Sequence, residues 1–215
     1  MSIGVKICGI RDREALQAAM ESGASYVGFV FYPSSKRYIR PEEAATLVAE
    51  VPRSIKRVGL FVDPDDDTLR NALQHVPLDL LQLHGKETPG RIAKLRSLLN
   101  LPVMKAIALA GPEDLQPVAA YEEIADRLLF DTRIGESFGG SGQSFDWKIM
   151  QTRNFKKPWM LAGGLNVGNL AEAVQVTGAR IVDVSSGVED VPGQKSPAKI
   201  REFIALAKTL SVGML

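Results

Sequence analysis

Leu161-Ala162-Gly163-Gly164-Leu165-Asn166 is an apolar run that opens into two glycines, and a second run of the same kind follows it, Ile181-Val182-Asp183-Val184-Ser185-Ser186-Gly187. Singly, each is an ordinary strand-to-helix turn, where Gly and Ser are common. Two in succession at the end of a chain of barrel length match the way a (β/α)8 barrel holds a phosphate. There the loops after strands 7 and 8 offer backbone N–H groups to the anion, and residues without bulky side chains let the main chain come close. Gly163, Gly164, Ser185, Ser186 and Gly187 are therefore the candidate phosphate-binding residues.

Working back from that pair, short apolar runs alternate with amphipathic stretches. Strands are expected at 5–10, 26–31, 56–61, 79–83, 102–107, 127–131, 158–162 and 181–184. The clearest helices are expected at 12–22, 41–50, 65–75, 89–99, 166–177 and 197–210, several opened by Pro or Asn. Eight strands mostly separated by helices read as an α/β fold, a single (β/α)8 TIM barrel with a closed parallel sheet. No Pro/Ser-rich linker interrupts it, so residues 1–215 are read as one domain. An open dinucleotide-binding sheet would want G-x-G-x-x-G after strand 1, and Cys8-Gly9-Ile10-Arg11 is not one.

Alternation along the strands divides their faces. Val5 and Ile7, Leu81 and Leu83, Leu128 and Phe130, and Val182 and Val184 form an apolar set that suits helix packing. Lys6, Cys8, Gln82, His84, Asp131 and Asp183 then point inward. Polar groups inside a packed core are costly unless paired. Several of these sit at C-terminal strand ends, where barrel enzymes keep their chemistry. Gln82, His84 and Asp183 are accordingly expected to contact substrate.

Cys8, the only cysteine, excludes an internal disulfide and a Cys-rich zinc site. It is either an inert small hydrophobe or a thiolate acting as nucleophile or base. A nucleophile wants a neighbouring histidine, and His84 lies well round the ring. A base needs only a pKa near neutrality, which Lys6 or a cationic intermediate could supply. Asp131 reads as a cap or a partner for Lys105, or as a general acid desolvated at the end of an apolar strand. In Ser34-Ser35-Lys36-Arg37-Tyr38, Lys36 is taken as solvated and Arg37 as the fork that grips a substrate carboxylate. Gly135, Gly139, Gly140 and Gly142 mark 135–144 as a lid beside Asp131. The acidic run Asp63-Pro64-Asp65-Asp66-Asp67 is read as helix capping rather than a metal site.

Bulk properties narrow the partners. Twenty-six Lys+Arg against 25 Asp+Glu give a formal charge of +1, which argues against nucleic acid and anionic membranes. Two histidines, His75 and His84, are too few for a His-rich metal cluster. The N-terminal residues lack the pattern of a signal peptide, and no run is long enough to cross a bilayer. A cytoplasmic protein is expected, a monomer with a dimer as the alternative.

In this order, the motifs resemble the phosphoribosylanthranilate isomerase family of tryptophan biosynthesis. They are Val5-Lys6-Ile7-Cys8-Gly9-Ile10, Ser34-Ser35-Lys36-Arg37-Tyr38-Ile39, Val58-Gly59-Leu60-Phe61-Val62-Asp63 and Leu81-Gln82-Leu83-His84-Gly85. Phe130-Asp131-Thr132, Gly139-Gly140-Ser141-Gly142 with Phe145-Asp146-Trp147, Leu161 to Leu165, and Asp183 to Glu189 complete the series. The resemblance implies a barrel without cofactor or metal that performs an Amadori rearrangement of a small phosphoribosyl substrate. It makes Cys8 the base and Asp131 the acid, puts Arg37 on the anthranilate carboxylate, and puts the last two loops on the phosphate. Arg11 and Ser141 stand where the family often has threonine, which touches loop geometry and not the reaction. Three rivals remain. The analogous histidine-pathway isomerase (or a dual-substrate enzyme) uses an aspartate pair and a second phosphate site after strands 3 and 4. A metal-dependent pentose-phosphate epimerase would need more histidines. A non-catalytic phosphosugar-binding barrel would have lost the acid or the base.

Overall fold

Eight parallel strands close on themselves: β1 (Gly4–Cys8), β2 (Tyr26–Val30), β3 (Lys56–Phe61), β4 (Leu80–Leu83), β5 (Val103–Leu109), β6 (Arg127–Ile134), β7 (Trp159–Leu161) and β8 (Ile181–Val184). Each pairs with the next, and β8 returns to β1 with Val5 beside Val182 and Lys6 beside Asp183. The computed structural model describes residues 2–134, 137–138 and 144–211. The glycine-rich stretch expected to act as a lid lies outside the described residues, apart from 137–138 and 144, and Ser137–Phe138 pairs antiparallel with the end of β6.

Seven α-helices surround the barrel among the described residues: α1 (Arg13–Glu21), α2 (Pro41–Val48), α3 (Asp66–His75), α4 (Pro89–Leu99), α5 (Val118–Ile124), α6 (Leu170–Thr177) and α7 (Pro197–Thr209). Their starts follow local chemistry. Asp12, Asp65 and Thr88 accept from Ala15, Thr68 and Arg91 N–H at 2.8, 2.7 and 3.2 Å, which satisfies donors the first turn leaves open. Asp65 therefore caps a helix, as the acidic run predicts. α7 buries Ile200, Phe203, Ile204 and Ala207, a one-sided stripe at helical spacing.

The two faces of each strand behave as the alternation requires. Val5, Ile7, Leu81, Leu83, Leu128, Phe130, Val182 and Val184 join the core between sheet and helices. Tyr26, Val58, Leu80, Met104, Leu129 and Met160 fill the barrel interior, and Cys8, Val30 and Leu60 form a separate apolar cluster. Burying the outer set in a ring of helices is the main stabilising term, at ~25 cal/mol per Å² of apolar surface.

Differences from the sequence reading are local. β1 stops at Cys8 because Gly9 takes φ +82° and turns the chain away. β5 and β6 run on to Leu109 and Ile134, beyond the expected ends. α6 begins at Leu170, not at Asn166, whose side chain instead accepts from Gly168 N–H within the preceding turn. α5 went unseen because its short span buries only Val118 and Glu122. Between β6 and β7 the described residues hold a 3₁₀ segment, Trp147–Thr152, rather than an α-helix.

Candidate active site

Lys6 and Asp183 are register partners on adjacent strands and both point inward, so their side chains must meet. The Lys6 ammonium is fully buried and donates to Asp183 Oδ1 at 2.9 Å. Gly28 beside Cys8 leaves space for it, since a methyl there would stand 3.1 Å from Lys6 Nζ. Asp183, expected to touch substrate, is thus engaged with Lys6. Burial would lower the Lys6 pKa, but Asp183 and Cys8 outweigh it and hold it above the usual lysine value.

Cys8 ends β1 with its thiol buried. Burial pushes the thiol up, Lys6 and Lys195 pull it down, Asp183 pushes it up again, and the balance lies above the ordinary value. The expectation that Lys6 brings the thiol near neutrality is corrected here: desolvation wins in the free protein. A cationic intermediate is left as the means of stabilising a thiolate.

Asp131, also buried, sits on β6 opposite Ala108 of β5. Its Oδ1 accepts from the Thr132 N–H at 2.7 Å, and its Oδ2 lies 3.1 Å from His84 Nε2. Gln82 Nε2 is 3.0 Å from His84 Nδ1, so Gln82, His84 and Asp131 form one chain. Gln82 is fully buried with its amide on His84; His84 keeps a little exposure. Lys105 is not Asp131's partner. It faces the helix side and pairs with Glu87 at 2.8 Å under the Tyr121 ring.

Arg37 reaches back over Gly9, where a methyl would crowd its Cδ at 2.9 Å. Its Nε and Nη2 donate to Glu189 at 2.7 and 2.8 Å. Burial opposes its charge, while Glu189, Cys8 and Asp131 all favour it and raise its pKa. The guanidinium therefore feels the thiol and the acid together, on the rim that carries both. Lys36 is exposed, as expected.

The two glycine- and serine-bearing turns meet each other. A methyl on Gly187 would overlap the Leu165 carbonyl oxygen, so only glycine allows this contact. Ser186–Val188 is a single 3₁₀ turn whose first bond runs from Val188 N–H to Ser185 C=O, leaving the Ser186 and Gly187 amides ahead of it. Gly163 and Gly164 take φ +89° and +65°, and Gly164 C=O is held by the Asn166 and Asn169 amides at 3.2 and 2.9 Å. A methyl on Gly163 would meet Asp131 Oδ1 at 3.0 Å, so this turn also abuts the acid.

Two residues without a role in the sequence reading complete the rim. Glu189 and Lys195 face each other across the hairpin Glu189–Val191/Gln194–Lys195, at 2.8 Å. The Lys195 ammonium also donates to Ser185 O and Oγ at 2.9 and 3.2 Å, and Ser185 Oγ donates to the Cys8 carbonyl at 3.1 Å. Neither residue falls in a periodic pattern; the signal lay in two charges with no apparent partner flanking a Pro-Gly turn. At the tops of β3 and β4, Asp63 accepts from Lys86 N–H, and Glu87 accepts from the Asp63 and Gly85 amides. Among the described residues no His/Cys/Asp/Glu cluster has the arrangement of a metal site, and no helix is long and apolar enough to span a membrane.

The sequence model of the N-(5'phosphoribosyl)anthranilate (PRA) isomerase family matches residues 5–206. An N-(5'-phosphoribosyl)anthranilate isomerase from Rhodospirillum centenum is 54% identical, covering 98% of this chain and 100% of that protein. Among solved structures, phosphoribosyl anthranilate isomerase from Thermotoga maritima superposes with a TM-score of 0.88 at 39% identity, covering 97% of this chain and 100% of the other. A phosphoribosyl anthranilate isomerase in complex with reduced 1-(o-carboxyphenylamino)-1-deoxyribulose 5-phosphate superposes at 0.85 and 38% identity, with the same coverage.

Proposed function

The chain belongs to the phosphoribosylanthranilate isomerase family, and from that premise we propose that Cys8 and Asp131 are the base and acid of its reaction. The enzyme is an isomerase of tryptophan biosynthesis that converts N-(5-phosphoribosyl)anthranilate to 1-(2-carboxyphenylamino)-1-deoxyribulose 5-phosphate. The observation that carries the assignment is geometric: Cys8 and Asp131 sit at the upper ends of strands three steps apart on one rim, with Arg37 packed over Gly9 beside the first and the Gly163 turn against the carboxylate of the second.

In this reading Asp131 gives its proton to the ribose ring oxygen, the C1–O bond breaks, and the substrate nitrogen becomes a protonated Schiff base. His84 holds the acid: with Gln82 Nε2 donating to its Nδ1, its Nε2–H donates to Asp131 Oδ2 and fixes the carboxyl in place. The positive charge now beside Cys8 favours a thiolate, so the thiol gives its proton to water at the open rim, against the desolvation that keeps the free thiol protonated. That thiolate removes the C2 proton, and the electrons close the C1=C2 bond of the enolamine. Protonation at C1 and loss of the C2 hydroxyl proton give the ketone. Gln82 holds His84 and Asp183 holds Lys6, and both keep an oxygen outside those bonds. Arg37 takes the anthranilate carboxylate, and the turns at Gly163–Gly164 and Ser185–Gly187 take the phosphate, so distant binding energy orients the reacting carbons.

All these groups come from one chain, so the reading needs no second copy. The histidine-pathway ribotide would bring a second phosphate toward the acidic turn that begins at Asp63, whose carboxylate disfavours it. The test is to follow the fluorescence of phosphoribosylanthranilate with purified protein, alongside the histidine-pathway ribotide. Loss of signal with the first and no turnover of the second is expected. Equal turnover of both would replace this reading with a dual-substrate enzyme.

A further inference from the structure

Glu189 is saturated. Its carboxylate takes Arg37 Nε and Nη2 at 2.7 and 2.8 Å, Lys195 Nζ at 2.8 Å and the Gly193 N–H at 3.2 Å, which uses the acceptor sites a carboxylate has. Lys195 is saturated too, its three donors going to Glu189 Oε1, Ser185 O and Ser185 Oγ. Neither has capacity left for substrate. Both are buried, so the hydrogen bonds are held in one geometry rather than exchanged with water.

What the pair does is fix its neighbours. With the Nε–Nη2 edge of Arg37 bound to Glu189, the donors left over are those at the outer Nη1–Nη2 end. That is the end able to meet a second carboxylate with two parallel bonds. At its other side the network passes through Lys195 to Ser185 and on to the Cys8 carbonyl, so one continuous path joins Arg37, a phosphate-side turn and the strand end that carries the thiol. We infer that Glu189 is a positioning residue that sets substrate specificity, by locking the edge of Arg37 that receives the anthranilate carboxylate. This rests on the reading of Arg37 given above.

The experiment compares N-(5-phosphoribosyl)anthranilate with N-(5-phosphoribosyl)aniline, which lacks the carboxylate, in wild type, Glu189→Gln, Glu189→Asp, Arg37→Ala and the Glu189→Gln/Arg37→Ala double variant. The preference for the carboxylated substrate, as a ratio of kcat/KM, should fall at least tenfold in Glu189→Gln, mostly through KM. It should fall less in Glu189→Asp, which keeps the charge, and no further when Glu189→Gln is added to Arg37→Ala. Equal losses on both substrates with the preference intact would overturn the inference and leave Glu189 a structural residue. A preference that survives Arg37→Ala would instead remove the carboxylate reading, and the inference with it. Thermal melts run in parallel, and Glu189→Asp carries the test if the Gln variant does not fold.

Discussion

Removing the Lys6 ammonium separates stability from chemistry at this site. Lys6→Met strands Asp183 in a buried position, and breaking a buried pair from one side typically costs ~3–5 kcal/mol. Adding Asp183→Asn takes away the orphaned charge, so the double variant should recover most of that loss, to within about 1–2 kcal/mol of wild type. Activity should not recover with it. The Lys6 ammonium favours the Cys8 thiolate both through its charge and through a hydrogen bond. Asp183 takes back part, but Lys6 has the stronger influence on Cys8. The net influence of the Lys6–Asp183 pair on the thiol is therefore downward.

Cys8 is the only thiol, so alkylation by iodoacetamide followed by intact mass reads this group alone. In wild type the labelling should be slow at pH 7 and rise well into the alkaline range, because the buried thiol lies above its ordinary value. In the double variant the profile should move further up in pH, and turnover at pH 7 should fall with it. Urea unfolding measures the stability half of the argument. A folded double variant with an unchanged labelling profile would refute the reasoning, since Lys6 would then have no hold on the sulfur.

The other expectations are simpler. Cys8→Ala should lose about 10²–10⁴-fold in kcat, and Asp131→Asn should lose turnover while a competitive product analogue still binds; steady-state kinetics with an inhibition constant checks both. Glu189 is held down to about 2, burial being outweighed by its bonds to Arg37 and Lys195, against an ordinary 4.5. Its contribution is therefore present above about pH 4.5 and lost as pH falls toward 2; at most it is worth ~3 kcal/mol. The stability gap between wild type and Glu189→Gln should accordingly close across that interval in urea titrations. Gly187→Ala would drive a methyl into the Leu165 carbonyl and part the two turns, so inhibition by inorganic phosphate should weaken at least tenfold in a protein that still shows barrel-type circular dichroism.

What the sequence made legible follows from how local its causes are. Alternation along a strand is a property of neighbouring residues, and it sorted Val5 and Ile7 to the helices and Lys6 and Cys8 to the interior correctly. Turn chemistry is equally local, which is why Gly163–Gly164 and Ser185–Gly187 could be read as a pair before their contact was known. What stayed hidden depends on register and on partners distant in the chain. Lys6 meets Asp183, and Arg37 meets Glu189, only because β8 closes against β1.

The same distinction explains the pKa of Cys8. From sequence, a lysine two residues away on the same face predicts a lowered thiol. The structure shows Lys6 pulling the thiol down while bonded to Asp183, but the loss of water around the thiol is the larger effect and the net lies above the ordinary value. A base that is protonated at rest and released by the substrate's own positive charge is guarded against alkylation and oxidation between turnovers. It also ties proton abstraction to the step before it: until Asp131 opens the ring and the iminium forms, the pull of Lys6 and Lys195 is smaller than the desolvation of the thiolate. The order of the two proton transfers is in that sense written into the burial of Cys8.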